Sequence, residues 1–248
     1  MERPPSPSWR TIARLIRADL RARYRLATKP ARVTLGGIEL QLDDRWVTPP
    51  IHAYIYRGWY EDTERRILEQ TLRPSDRVLE LGAGLGFITA CASQIVGSEN
   101  VVAYEAIAEL AELAATNCRL NGVSPTIINA VLGDHEDVVE FQVDEGEFWR
   151  SARSPMIEGA TRRVAQRSFQ GELSRLKPTY LVVDIEGGEA ALLGDLTLPD
   201  HVRAICVETH PQVAGDDATQ RMLMKLMTHE FVLDLGVSGG NVAFLARA

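Results

Sequence analysis

The 248-residue sequence predicts an α/β fold, doubly wound around a mainly parallel sheet, and three observations carry that reading. From Tyr60 onward, apolar strand-length runs alternate with helix-length amphipathic stretches, the texture of repeated β-α-β units. The apolar run Val78–Leu81 feeds straight into Gly82-Ala83-Gly84-Leu85-Gly86 and then a helix. The chain closes on two β segments, 231–235 and 241–246, with no helix between them, which predicts an antiparallel strand at the end.

Composition narrows the class. A chain that is 45% hydrophobic and 25% charged is neither disordered nor collagen-like. Its net charge of −7 argues against generic nucleic-acid binding, which needs clustered Lys and Arg. Cys91, Cys118 and Cys206 form no CxxC pair, so neither a zinc knuckle nor a disulfide framework is expected, and a reducing, cytoplasmic setting is. The N-terminus has no signal-peptide pattern. Residues 81–98 carry no charge over a membrane-spanning length, but four glycines with Thr89, Ser93, Gln94 and Ser98 suit a turn and a buried helix. No transmembrane segment is expected; the oligomeric state is left open.

The elements follow in order. Residues 1–30 carry eight basic side chains against two acidic ones, a local +6 that leaves −13 in the remaining 218. Trp9, Ile12, Ala13, Ile16, Leu20 and Tyr24 recur at helical spacing, with Arg10, Arg14, Arg17, Arg21 and Arg25 opposite. This pattern predicts a helix that lays its apolar stripe on the core. The alternative is a docking surface for an anionic substrate, a partner or a membrane. Gly36-Gly37 between two alternating runs predicts a two-residue hairpin. These pieces form an expected extension, residues 1–57, ahead of a main domain at 58–248. Helices are expected at 61–72, 85–96, 107–121, 170–176, from 188 and at 217–229. Strands are expected at 77–81, 101–105, 126–131, 180–185 and 203–208, with a less regular β-rich stretch over 137–168.

The glycine turn is the sharpest local signal. Alternating glycines let the backbone approach a ligand closely and turn the chain into a helix N-terminus. The dinucleotide fingerprint G-x-G-x-x-G requires glycine where Phe87 stands, which demotes a nicotinamide or flavin site. Glu80 followed by G-x-G-x-G is the form expected for S-adenosylmethionine, whose charged end is an amino acid and a sulfonium. The expected contacts are Glu80, Gly82, Ala83, Gly84 and Gly86. The next strand ends at Glu105, where a carboxylate can accept ribose hydroxyls, with Ala106 beside it. The third strand ends near Ala130, the place for an adenine edge.

A second cluster stands at Asp184-Ile185-Glu186-Gly187-Gly188-Glu189, where a buried strand delivers three acids within six residues. Such acids repel one another unless a cation, a proton or a donor compensates. The following strand places Glu208 and His210 at the same edge. Gly236-Val237-Ser238-Gly239-Gly240 fits G-x-S-x-G, but no helix, acid or His follows it, so it reads as a turn.

Together these residues resemble the FkbM-type S-adenosylmethionine-dependent methyltransferases, a class I family, over roughly residues 58–210. The resemblance rests on Glu80 to Gly86, Glu105, Asn117 to Gly122, the Asp184–Glu189 block and Val207-Glu208. It implies a Rossmann-like methyltransferase domain that O-methylates sugars or secondary metabolites. Cofactor contacts are implied at the glycine turn and Glu105, with active-site duty at Asp184 and Glu186. Tyr60-Glu61 is similar to a family site that places a Glu near the cofactor. The family's usual Lys two before the Asp is Val182, and its proline after the second-strand acid is missing at Ala106-Ile107.

The expected reaction is methyl transfer to a hydroxyl of a small-molecule acceptor. Asp184, Glu186, Glu189 and His210 are the candidates for removing the proton, Asp184 also lying near the cofactor. A divalent ion held by these oxygens is the alternative means of acidifying the hydroxyl. A nucleotide-dependent oxidoreductase and a non-catalytic S-adenosylmethionine-binding protein are the competing readings.

Overall fold

The computed structural model describes residues 9–43, 45–143, 160–194 and 196–247. The chain opens with α1 (Trp9–Thr28), the hairpin β1 (Arg32–Leu35) and β2 (Ile38–Gln41), then α2 (Pro49–Arg57) and α3 (Asp62–Thr71). The alternating core follows as β3 (Val78–Leu81), α4 (Phe87–Val96), β4 (Val101–Glu105), α5 (Ala108–Leu120) and β5 (Thr126–Asn129). After β6 (Val131–Gly133), β7 (Asp137–Val143) and β8 (Ala160–Ser168) come α6 (Phe169–Leu176), β9 (Tyr180–Val183), α7 (Glu189–Leu193) and β10 (Ala204–Glu208). The last elements are α8 (Pro211–Ala214), α9 (Asp216–Thr228), β11 (Phe231–Leu233) and β12 (Val242–Arg247).

Seven strands form the central sheet in the order β11-β12-β10-β9-β3-β4-β5. The pairs β3–β4, β4–β5, β3–β9 and β9–β10 are parallel, and β12 runs antiparallel to both neighbours. The expected doubly wound, mainly parallel fold with an antiparallel final strand is the one observed. Strands β3 and β9 are buried at every position, as parallel strands covered on both faces must be. Their pleat sorts side chains into two apolar layers. Val78, Tyr180 and Val182 meet α3, α4, α5 and the N-terminal hairpin, while Leu79, Leu181 and Val183 meet α6, α7 and α9. The chain winds one way from β3 and the other from β9, so the crevice at their carboxyl ends is the topological switch point.

The hairpin turns at Gly36-Gly37, both at positive φ, with Leu35 opposite Ile38 as the two-residue loop requires. Its β2 edge is held by two asparagines one turn apart on α5. Asn117 Oδ1 accepts from Gln41 N at 2.7 Å, and Asn121 Oδ1 accepts from Glu39 N at 2.8 Å. A bare strand edge is thereby closed by side chains.

Three expectations are corrected. Helix α2 falls where only a hairpin extension was expected; Pro49 and Pro50 occupy its first turn, where no backbone donor is needed. The strand expected at 126–131 divides at Ala130, and its second half pairs with β8 in a separate three-stranded sheet, β6-β8-β7. Residues 144–159 of the irregular 137–168 stretch lie outside the described residues. The third correction concerns α1, which does not bury its apolar stripe. It meets α2 through Ala18 and Ala22, small enough for close helix approach, while Arg25 donates to the carbonyls of Tyr56 and Thr34. Ile16, Leu20 and Tyr24 face outward, and Trp9 is 85% exposed.

Candidate active site

The carboxyl ends of β3, β4, β9 and β10 border a cavity of about 1010 Å³, at the upper end for small-molecule sites. Of the sequence-based site residues, Glu61, Gly82, Gly84, Glu105, Ala106, Ala130, Asp184, Glu186 and His210 line it. Glu80, Ala83, Gly86 and Glu189 do not, and each has a physical reason.

Glu80 shares the pleat face of Val78, so its carboxyl points into the helix layer near Thr89 and Cys118 and away from the crevice. Burial lifts it to about 8, Thr89 acts against that shift, and the charge of Glu105 adds to it. Ala83 is packed against Ala103 and Ala114. A Cβ on Gly86 would come within 2.8 Å of Ala114, so this glycine serves the contact of α4 with α5. Gly82, at φ 90°, has a similar duty: a Cβ there would overlap the Asp184 carbonyl where β3 and β9 converge. Gly84 lines the cavity without such a backbone clash, its missing Cβ aimed toward Tyr60 and Glu61.

Glu105 braces the turn from the neighbouring strand. Its Oε2 accepts from Gly84 N and its Oε1 from Ile107 N, both at 2.9 Å. Burial lifts this carboxyl to about 7 against the pull of those amides. Each oxygen keeps a second lone pair for a ligand hydroxyl. The Tyr60-Glu61 corner lies on the opposite side of Gly84, with Glu61 in the left-handed region at φ 47°.

The second half of the site is built around His210, which begins α8. Its Nδ1 lies 3.0 Å from Glu189 Oε1, and its Nε2 lies 3.2 Å from Glu186 Oε2 and 3.7 Å from Asp184 Oδ1. Glu189 Oε1 also accepts from the Ile185 and Gly187 amides, closing the loop that carries Glu186 at φ 54°. Glu189 is 1% exposed and sits behind the imidazole. Its buried carboxyl meets His210 and two loop amides and does not line the cavity.

Charge sets the character of the cavity. Burial and the nearby Glu208, Glu186, Glu61 and Glu64 hold the Asp184 carboxyl well above its usual range. Burial lifts Glu186 to about 8, with His210 opposing. Burial disfavours the charged form of His210, but its hydrogen bond to the Glu189 carboxylate and the charges of Glu186, Glu189 and Glu208 outweigh it, so its pKa is raised. Glu64, lifted to about 7 by burial and Glu208, was missed in the sequence, although it stands in the first turn of α3, three residues after Glu61. The Gly239-Gly240-Asn241 turn, read as a turn only, also lines the cavity.

Two groups could be held here. Asp184 lines the cavity with its side chain 25% exposed, so its carboxyl can meet the cationic end of a ligand. Gly84, Glu105 and Ala130 lie along the crevice from it, as an S-adenosylmethionine site requires. Asp184, Glu208 and His210 each present one donor atom, all within 4.8 Å of one another, a spacing that a divalent ion accepts.

A parallel sheet reversed between β3 and β9, with β12 inserted antiparallel between β10 and β11, decides the fold type. This is the class I methyltransferase fold. Residues 63–147 match the family model for protein-L-isoaspartate(D-aspartate) O-methyltransferase. The chain is similar to protein-L-isoaspartate O-methyltransferase 1 of Arabidopsis thaliana, 35% identical over 71 residues, covering 28% of this chain and 31% of that protein. It is 41% identical over 87 residues to protein-L-isoaspartate O-methyltransferase 1 of Archaeoglobus fulgidus, covering 35% of this chain and 39% of that protein. The chain therefore spans well under half of the curated relatives it matches. A solved methyltransferase from Pyrococcus furiosus aligns over 94% of this chain and 98% of its own at 16% identity, with a TM-score of 0.44. The family match and the two relatives are to O-methyltransferases, in keeping with the fold. They fall on a different family from the FkbM type that the Asp184–Glu189 block resembles. The described residues include no helix long and apolar enough to cross a membrane.

Proposed function

We propose that this chain is an S-adenosylmethionine-dependent O-methyltransferase whose acceptor group is a hydroxyl. The observation that carries the reading is His210, held from behind by Glu189 and facing Glu186 and Asp184 in a cavity continuous with the glycine turn. The cofactor, when bound, supplies a methyl group already activated by its sulfonium. The chain's own work is alignment and proton removal. Gly84 and Glu105 hold the nucleoside end, and Asp184 faces the charged end. His210 Nε2 and Glu186 face each other at 3.2 Å, and each acts on the charge of the other. With the pair deprotonated, Nε2 accepts the acceptor's proton while Glu189 stabilises the imidazolium. Glu208 adds negative charge beside that cation.

A second reading, methylation of an isoaspartyl carboxyl, is favoured by the family match. That match ends at residue 147, before the Asp184–Glu189 block and His210. An anionic acceptor would enter beside Asp184, Glu186, Glu208 and Glu64 only with these acids holding protons, a demand that a neutral hydroxyl does not make. A screen of S-adenosylhomocysteine release over hydroxylated small molecules and isoaspartyl peptides tests the choice. Expected is an alkali-stable methyl ether on a hydroxyl. An alkali-labile methyl ester formed on isoaspartyl peptides would replace the first reading with the second.

A further inference from the structure

We propose that α1 is an interfacial helix that docks this protein on an anionic lipid surface. Helices of water-soluble domains turn their large apolar residues inward and their small or charged ones outward. Helix α1 does the reverse. Ala18 and Ala22 meet the body, while Ile16, Leu20 and Tyr24 stand 55%, 60% and 70% exposed on the far side, in line with Trp9. These four lie along one face at helical spacing and form a contiguous apolar strip of the kind that marks an interaction site.

The chemistry of the strip identifies its occupant. An aromatic stands at each end, Trp9 and Tyr24, with aliphatic Ile16 and Leu20 between them. Residues 9–28 hold six arginines against Asp19 alone, and Arg17 and Arg21 are exposed. An apolar face with arginines and interfacial aromatics is complementary to acyl chains and anionic headgroups together. Pairing of α1 with a second copy of itself would instead bring two sets of arginines along one seam. The rest of the chain is acidic, so attraction to an anionic surface resides in this helix. Helix α2, on which α1 rests, lines the cavity with Pro50, Ile51 and Tyr54. One helix therefore separates the docking face from the site.

Flotation of the full chain with vesicles of phosphatidylcholine, with and without phosphatidylglycerol, tests the proposal. Expected is binding to the anionic vesicles that weakens with added salt, together with a blue shift in tryptophan fluorescence. Ile16→Asp with Leu20→Asp is expected to lower vesicle affinity by at least about tenfold. Arg17→Glu with Arg21→Glu is expected to lower it by about fivefold for each arginine removed. Both pairs are exposed, and unchanged circular dichroism and melting confirm that the variants fold. Equal affinity for neutral and anionic vesicles, no affinity for either, or undiminished binding by the aspartate variant would overturn the proposal. A concentration-dependent dimer that the aspartate variant dissociates would assign the strip to a second copy and also overturn it.

Discussion

His210 and Glu189, 21 residues apart in the chain, face each other Nδ1 to Oε1 at 3.0 Å, and both are buried. The contact fixes which nitrogen of the imidazole faces the cavity. It also ties the loop after β9 to the loop after β10, since the same Glu189 oxygen accepts from the Ile185 and Gly187 amides.

Replacing His210 by Ala is expected to lower turnover by about 10²–10⁴, the span for losing a general base, with cofactor affinity little changed. Glu189→Gln keeps the shape but removes the charge that raises the His210 pKa. Activity requires the deprotonated base, so it rises with pH through that pKa, and in Glu189→Gln this limb moves to lower pH. Rates of S-adenosylhomocysteine release across pH 5–9 measure it; an unmoved limb would remove His210 from proton transfer.

The glycines are expected to separate by role. Gly82→Ala forces the β3 and β9 backbones apart at positive φ and is expected to cost at least about 2 kcal/mol of stability. Gly84→Ala meets only the Tyr60 hydroxyl, at 3.3 Å, and the Glu61 carboxyl at 3.8 Å, and is expected to weaken S-adenosylmethionine binding more than folding. Melting and calorimetric titration of the two variants distinguish these outcomes; equal melting losses would sink the distinction.

Glu105→Ala removes the acceptor of two backbone amides and the proposed partner of the ribose hydroxyls. S-adenosylhomocysteine affinity is expected to fall by an amount on the order of 0.5–1.5 kcal/mol for each hydrogen bond lost. Wild-type affinity in the folded variant would show that Glu105 braces the turn and nothing more.

Stability of the ligand-free protein is expected to fall as pH rises. Glu80 and Glu105, lifted to about 8 and about 7 chiefly by burial, keep their protons in the folded state. The unfolded chain releases them near pH ~4.3. Their contribution is complete below that value and is lost between there and pH 7–8, at up to about 1.4 kcal/mol per pH unit for each group. Melting temperatures at pH 5 and pH 8 test the sign, and Glu80→Gln is expected to flatten the upper part. A melting temperature that climbs from pH 5 to pH 8 would contradict it.

On the proposed mechanism, in which His210 removes the proton directly, turnover is expected to be indifferent to EDTA. Inhibition by EDTA that Mg²⁺ reverses would instead place a divalent ion on the Asp184, Glu208 and His210 donors.

The sequence by itself determined the sheet, its winding and its closing antiparallel strand. Those depend on local periodicity, on the Gly36-Gly37 turn and on an apolar strand running into Gly82. It also marked the two loops that carry the site, because acids at strand ends stand out against buried apolar runs. Tertiary structure decided which of those residues face the cavity. One step along the pleat turned Glu80 into the helix layer, and close backbone approach made Gly82 and Gly86 packing glycines. Glu189 went behind His210 because two loop amides and an imidazole converge on one oxygen, a meeting of residues that no local spacing records. The same limit applies to α1. Its amphipathic pattern was legible, but which side would meet the body was not, since close contact with α2 selected the alanines and left Trp9, Ile16, Leu20 and Tyr24 outside.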